Sequence, residues 1–158
     1  MFAISSYDFF KTLHILGVVV LLGNVTITAF WKVLSDRTGD PRLIAHAQHG
    51  VTVSDWIFTV GGILLLVVGG YGATWVGNMP LFSTDWLVQG QALLVVSGLM
   101  WLFVIVPLQV RQGRAAKLFA GGGEIPRSYH RDSRLWLVWG IVATVPLVAA
   151  VFVMVTKA

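Results

Sequence analysis

The chain has 158 residues, of which 56% are hydrophobic and only 11% are charged, whereas an ordinary soluble domain carries about 25% charged residues. With a mean hydropathy of +0.80, this composition excludes a disordered chain and argues against a water-soluble globular fold. Cysteine is absent, which excludes disulfides, iron–sulfur ligation and covalently attached c-type haem.

Four stretches are long and apolar enough to cross a bilayer as helices, which takes about 20 residues. They cover approximately residues 12–31, 56–77, 86–110 and 135–156, and none of them contains Asp, Glu, Lys or Arg. Backbone polar groups in hydrocarbon must be bonded internally, and the alternating polarity of barrel strands is missing. We therefore predict an all-α membrane protein with a single domain, an antiparallel four-helix transmembrane bundle.

The first apolar run does not resemble a secretion signal. The residues before it lack a basic region and include Asp8, and no small-residue cleavage motif follows. We expect this run to remain in the mature protein.

The basic residues are distributed unevenly along the chain. The second connection has none and each end of the chain has one, Lys11 or Lys157, whereas nine lie in or beside the first and third connections. These nine are Lys32, Arg37, Arg42, Arg111, Arg114, Lys117, Arg127, Arg131 and Arg134. The positive-inside rule then predicts both termini on the outer, periplasmic side of a bacterial inner membrane. The net charge of +4 indicates topology and affinity for anionic lipid, and it does not indicate nucleic-acid binding.

Two connections carry local signals of structure. Asp40 followed by Pro41 is typical of a helix start, so the second helix is predicted to begin near Pro41 and to extend beyond the membrane before Trp56. In the third connection, residues 121–123 are all glycine and Pro126 follows, which predicts a flexible break.

Small residues on two helices predict close packing. Gly62, Gly69 and Ala73 lie within about 40° of one another on a helical wheel, which favours a face where helix backbones approach closely. A similar stripe on the fourth helix consists of Trp136, Gly140, Ala143, Leu147 and Ala150.

Two amides mark one face of the third helix. Gln91 and Gln109 are 18 residues apart, about five turns, which predicts that both point into the bundle. They are interpreted as polar contacts between helices or as contacts to a substrate or cofactor.

His14 is the one ionisable side chain within an apolar run, and such residues are candidates for function. Three interpretations remain open: a neutral histidine bonded to a carbonyl or to Gln91, a haem or metal ligand, and a proton-transfer group. Asn24 and Thr28 lie on the same side of the helix at greater depth and are predicted in the polar bundle interior.

Depth limits the haem interpretation. His14 lies near the outer face and His49 at or beyond the inner face, roughly 30 Å apart, so one haem within a protomer cannot be held by both. The second axial ligand would be Met79, at the outer end of the second helix, or a second His14 across a homodimer interface.

Three histidines are predicted on the cytoplasmic side. His46 and His49 are spaced i, i+3 on one helical face, and His130 lies at the same side. Three imidazoles favour a zinc or copper site, and the alternative is an exposed cluster in solvent. No nucleophile elbow, phosphate-binding loop or dinucleotide fingerprint is present.

The segment from Tyr7 to Gly17 resembles the first helix of the CopD-like superfamily. That superfamily includes CopD copper-resistance proteins, HemJ-type protoporphyrinogen oxidases and an uncharacterised family of predicted integral membrane proteins, and the last resembles this chain most. The segments 55–59 and 107–111, together with Trp101, carry the remaining similarity.

The resemblance implies that His14 is a haem b ligand, as the first-helix histidine is in HemJ-type proteins. Residues 86–91 lack the lysine that matters near the start of the third helix in that group, which argues against porphyrinogen oxidation. Few Met or His residues lie in the apolar runs, which argues against copper transport of the CopD kind.

The leading hypothesis is a small haem b or redox protein of the membrane with His14 as axial ligand. The competing hypothesis is a non-catalytic scaffold or accessory subunit of a larger membrane complex. A third hypothesis is metal handling at the histidine cluster. Enzymatic activity and oligomeric state stay open at this point.

Overall fold

The computed structural model describes residues 4–157, and all regular secondary structure within that range is helical. Four long helices are long and apolar enough to cross a membrane: α1 (Ser6–Asp36), α2 (Pro41–Val76), α3 (Asp85–Phe119) and α4 (Arg127–Thr156). This confirms the predicted all-α fold with four potential spans.

The helix starts follow from local capping. The Ser5 side chain accepts a hydrogen bond from the Asp8 backbone N–H at the start of α1. At the start of α2 the Asp40 side chain accepts from the Arg42 N–H, and Pro41 occupies the first turn, where its missing N–H costs nothing. From this start α2 continues through Trp56, so the segment before Trp56 and the apolar segment after it belong to one helix.

Two helices contain a π-helical turn. In α2 it covers Asp55–Thr59, and in α3 it covers Trp101–Ile105. Such turns are rare, and they are found frequently at functional sites. Each one also shifts the helical face on which all later residues lie.

The α1–α2 contact depends on glycine. A Cβ added to Gly17 would lie 2.3 Å from the Leu66 backbone nitrogen, and one added to Gly69 would lie 2.2 Å from the His14 backbone nitrogen. No side chain fits at these positions without separating the helices. The prediction of a packing face at Gly62 and Gly69 is confirmed.

Two apolar clusters join the helices at the end of the bundle that carries the two basic connections, here called the basic end. One consists of Ile44, Ala45, Ala116, Phe119 and Tyr129, and the other of Val51, Ile105, Leu108, Trp136 and Ala143. Toward the opposite end, here the terminal end, the backbone of Val60–Val76 in α2 stays apart from α4 and from Asp85–Met100 of α3. The pairs α1–α2 and α3–α4 therefore enclose a space between them.

Candidate functional site

The space between the helix pairs is a cavity with a volume of about 650 Å³. Ligand sites typically have about 300–1,000 Å³. All four helices line it, and its wall is mostly apolar, with Leu21, Ile63 and Leu94 among its residues. Trp136 and Phe152 line its two ends 16 residues apart on α4, so it extends over about 24 Å of the helix axis.

The basic end of the cavity has a polar floor built around Asp55. This side chain is 5% exposed, and its Oδ1 accepts hydrogen bonds from Asn24 Nδ2 at 3.1 Å and Thr59 Oγ1 at 3.0 Å. Asn24 Nδ2 also approaches Thr59 Oγ1 at 3.0 Å, and the Thr28 hydroxyl donates to the Asn24 carbonyl at 2.7 Å. The floor thus places a buried carboxylate and two threonine side chains at one end of an apolar space, with the Asn24 amide bonded behind them.

The two π turns meet at this floor. Asp55 and Trp101 are the first residues of the two turns, and both line the large cavity. Both also line a small pocket of about 20 Å³ together with Thr52 and Gln109, enough for a single water molecule. At the start of each π turn, one side chain, the Asp55 carboxylate or the Trp101 indole, therefore lines both the large cavity and the small pocket.

Gln109 and Gln91 make polar contacts with different helices. Gln109 is 5% exposed and accepts a hydrogen bond from Trp136 Nε1 of α4 at 3.1 Å. Gln91 instead accepts from the Tyr71 hydroxyl of α2 at 3.0 Å and donates to the Leu81 and Leu87 carbonyls. Both amides therefore bond across helices, as their interpretation as polar contacts between helices requires, and the π turn at residues 101–105 lies between them.

The small-residue stripe of α4 lines the cavity through Trp136, Gly140, Ala143 and Leu147. Trp136 and Ala143 also belong to the apolar cluster nearest the floor. A Cβ added at Gly140 would meet nothing within 4 Å. The predicted close packing is therefore wrong at Gly140, because the helix pairs part there.

A second buried polar cluster lies at the basic end around Lys32, which is 1% exposed. Its Nζ lies 3.1 Å from Asp36 Oδ2 and donates to the Tyr129 hydroxyl at 2.9 Å. The Tyr129 and Ser133 hydroxyls both donate to the Asp36 carboxylate. The charge of Lys32 is matched by Asp36 within α1, so Lys32 is not a free cation. Its hydrogen bond to Tyr129 joins α1 to α4.

Asp132 of α4 is also buried, and it is paired with arginine. Arg111 Nε of α3 lies 3.1 Å from Asp132 Oδ2, and Arg131 Nε lies 3.5 Å from Oδ1. The Asp132 side chain is 8% exposed, whereas Arg131 is 71% exposed. The Arg111 pair therefore contributes to the α3–α4 contact.

Gln48 of α2 and Gln112 of α3 are both buried, with side-chain polar atoms that lack partners among the described residues. Gln48 is 1% exposed, and neither its Oε1 nor its Nε2 has a hydrogen-bond partner in the structure. Gln112 is fully buried, and its Oε1 is also unpartnered. Unpaired buried amides are costly, so these two residues reduce the stability of the bundle.

His14 lies in the α1–α2 contact, half-buried, two helical turns from Leu21 at the cavity. Its Nδ1 is 2.8 Å from the Leu66 carbonyl oxygen. Since a carbonyl only accepts, Nδ1 donates in this hydrogen bond, and Nε2 takes no part in it. Of the two structural alternatives, bonding to a carbonyl is the one found, and Gln91 bonds elsewhere.

Met79 does not lie beside His14. The His14 ring lies over Gly70, whereas the Met79 methyl group lies over Gly77, where an added Cβ would be 3.0 Å away. Seven residues separate these glycines, about 10 Å along the axis of α2. The structure therefore does not bring the two side chains together over one position of α2.

The three histidines of the basic end, His46, His49 and His130, are all exposed. The described residues contain no group of three or more His, Asp or Glu side chains arranged to hold a metal ion. The structure does not bring these imidazoles together as a metal site.

The sequence reasoning missed Asp55 and Lys32, which lie at the edges of apolar runs and were treated as residues of the connections. Each begins or ends a run directly, and each lies on a helix that continues well past the membrane boundary. A charged residue at the edge of an apolar run, inside a helix that continues beyond the run, is the signal that would have indicated burial.

The chain belongs to the family described as "Predicted integral membrane protein (DUF2269)", which matches residues 8–158. Comparison with curated proteins and with solved structures finds no match. The family description agrees with a multi-pass integral membrane protein whose helices contact the lipid bilayer.

Proposed function

We propose that this protein binds a lipid-soluble small molecule in the cavity between its helix pairs. The observation that supports this proposal is the combination of a long apolar cavity with one polar end. A hydrocarbon chain lying along α4 would bury its surface against the wall, and a polar head would meet Asp55 and Thr59. Such a molecule would come from the surrounding bilayer.

The glycines of the cavity support the proposal further. A Cβ added at Gly98 or Gly140 would meet nothing within 4 Å, and both residues line the space. Helix faces in a membrane are ordinarily packed closely through such small residues. Here they leave room for another molecule.

The test is to count bound chains by native mass spectrometry after purification in a neutral maltoside detergent, with hexadecanol as the probe. The Gly140→Leu variant places a side chain in the cavity. The control is Gly23→Leu, which makes the same change on α1 at an exposed site where an added Cβ also meets nothing within 4 Å. Both variants are checked for native helical content and monodispersity.

We expect saturable binding of one hexadecanol per chain in the wild type and in Gly23→Leu. Affinity in Gly140→Leu should fall about tenfold or more, which corresponds to about 1.4 kcal/mol. Binding that is equal in all three proteins and does not saturate would contradict the proposal. The competing interpretation of a scaffold or accessory subunit would then be favoured, particularly if a larger complex co-purifies.

A second candidate function is haem b binding at His14, with the protein acting in electron transfer. The observation that favours it is the Nδ1 hydrogen bond to the Leu66 carbonyl, since iron-ligating histidines almost always donate their other N–H in this way. The resemblance to HemJ-type proteins supports the same residue. Bound haem would supply one-electron oxidation and reduction.

The residues fit such a haem only in part. The cavity is not a haem site, because its lining among the described residues includes no His or Met and no basic side chain for a propionate. His14 would be one ligand of the iron through Nε2, and a second protein ligand, where one is used, would come from Met79 or from His14 of another copy of the chain.

An absorption spectrum of protein made with ample haem supply tests this candidate. We expect a Soret band that His14→Ala abolishes and that the exposed-site control His49→Ala keeps. The band should also survive Gly140→Leu, because the cavity is separate from His14. A colourless wild-type preparation would contradict haem binding and leave the cavity proposal intact.

A further inference from the structure

The Asp55 carboxylate has no cationic partner in the described structure. The salt bridges among residues 4–157 join Lys32 to Asp36 and join Arg111 and Arg131 to Asp132. Asp55 is as deeply buried as Asp132 but accepts only from neutral groups, Asn24 and Thr59. A buried carboxylate without a counter-charge is costly in a membrane protein, and ionisable groups kept in such places are candidates for function.

The cavity lining carries a single titratable side chain, and it is acidic. Asp55 is the one Asp, Glu, His, Lys or Arg among the described residues that line the cavity. The nearest buried base, Lys32, is bonded to Asp36 and Tyr129 and does not line the cavity. A molecule bound there therefore contacts one acidic side chain directly, whereas Lys32, the nearest base, lies behind the lining, with its Nζ 5.9 Å from the centre of the Trp136 ring. Direct contact with Asp55 favours a cationic head and disfavours an anionic one.

Two indole rings accompany the carboxylate. Trp101 and Trp136 line the cavity near its floor, and the Trp136 Nε1–H is already used by Gln109. Indole faces attract ammonium groups, by about 2 kcal/mol or more where the cation is desolvated. A carboxylate combined with aromatic rings in an apolar space is the chemistry that recognises an amine.

The shape of the cavity specifies the rest of the molecule. Its carboxylate is at one end only, and the remaining length along α4, toward Leu147 and Phe152, is mostly apolar. The hydroxyls of Ser97 and Thr144 in this part donate to backbone carbonyls of α4. An amphiphile with one hydrocarbon chain would therefore place its polar head at Asp55 and its hydrocarbon chain along the cavity.

We infer that the cavity binds a long-chain amine, with its ammonium group at the Asp55 carboxylate beside Trp101 and Trp136. This inference rests on the proposed function, because it names the class of molecule that the cavity takes. The amine supplies the counter-charge that Asp55 lacks among residues 4–157. Its hydrocarbon chain fills the space that the helix pairs leave open.

The test compares three probes with one chain and different heads: hexadecylamine, hexadecanol and hexadecanoate. Binding to the wild type is measured by native mass spectrometry in a neutral detergent. We expect hexadecylamine to bind about tenfold more tightly than hexadecanol and hexadecanoate to bind least. The net charge of +4 opposes non-specific attraction of an amine, so the preference must come from a local site.

The Asp55→Asn variant keeps the shape of the side chain and removes its charge, and we expect its amine-to-alcohol ratio to fall to near one. The control Asp85→Asn removes an exposed acid outside the cavity and should keep the wild-type ratio. Equal binding of amine and alcohol by the wild type would overturn the inference, even if Asp55→Asn fails to fold. Binding of hexadecanol that Gly140→Leu abolishes, without preference for the amine, would overturn the inference and leave the proposed function standing.

Discussion

Replacement of Gly69 by alanine should separate α1 from α2. The new methyl group would lie 2.2 Å from the His14 backbone nitrogen and 2.7 Å from its Cα. Ordinary contacts between carbon atoms are about 3.5–4.0 Å, so the helices must move apart by roughly 1 Å. The obstacle is backbone, which cannot rotate away as a flexible side chain does.

The expected loss is worked out from two opposing effects. Overpacking costs about 1–3 kcal/mol, and alanine recovers up to about 1 kcal/mol of helix propensity relative to glycine. Gly61→Ala on the same helix receives only the second effect, because a Cβ there meets nothing within 4 Å. The two variants should therefore differ by about 1–3 kcal/mol in the free energy of unfolding, with Gly69→Ala the less stable.

The assay is equilibrium unfolding in maltoside micelles on addition of dodecyl sulfate, followed by tryptophan fluorescence. Gly61→Ala is the matched control for the residue change and for the helix. If Gly69→Ala unfolds at the same dodecyl sulfate fraction as Gly61→Ala, the reasoning about backbone contact between α1 and α2 is refuted.

The same unfolding assay checks two further predictions. Lys32→Met should lower the free energy of unfolding by about 3 kcal/mol, because it leaves Asp36 without its cation. The control Arg131→Met changes a side chain that is 71% exposed and should alter the free energy of unfolding by less than about 0.5 kcal/mol. Equal effects of the two variants would contradict the burial of Lys32. Gln48→Leu should raise the free energy of unfolding by about 1–3 kcal/mol, because neither of its side-chain polar atoms has a partner. A loss of stability would show that bound water satisfies this amide.

Much of the architecture follows from composition and periodicity. Four charge-free runs of membrane-spanning length specify four helices, because hydrocarbon offers backbone groups no other partners. Asp40 and Pro41 specify where α2 begins, since capping depends on neighbours in the sequence. The glycines at 62 and 69 indicate which face of α2 meets another helix, and the structure shows that the partner is α1.

The site was less accessible from the sequence. The wheel that aligned Gln91 with Gln109 assumed a regular helix, and the π turn at Trp101–Ile105 invalidates that assumption. The π turn was not predicted, although Pro107, which has no backbone N–H to donate, lies two residues after it. His14, singled out by its isolation, lies away from the cavity, and haem binding there remains a prediction.

The sequence by itself determined the fold class, the number of helices and the segregation of basic residues, because these depend on local hydropathy and on the cost of exposing backbone to lipid. The tertiary structure alone decided that Asp55 is buried without a counter-charge and that an apolar space opens beside it. Both features arise where helices converge at one end and part at the other. Such divergence depends on contacts among residues far apart in the chain.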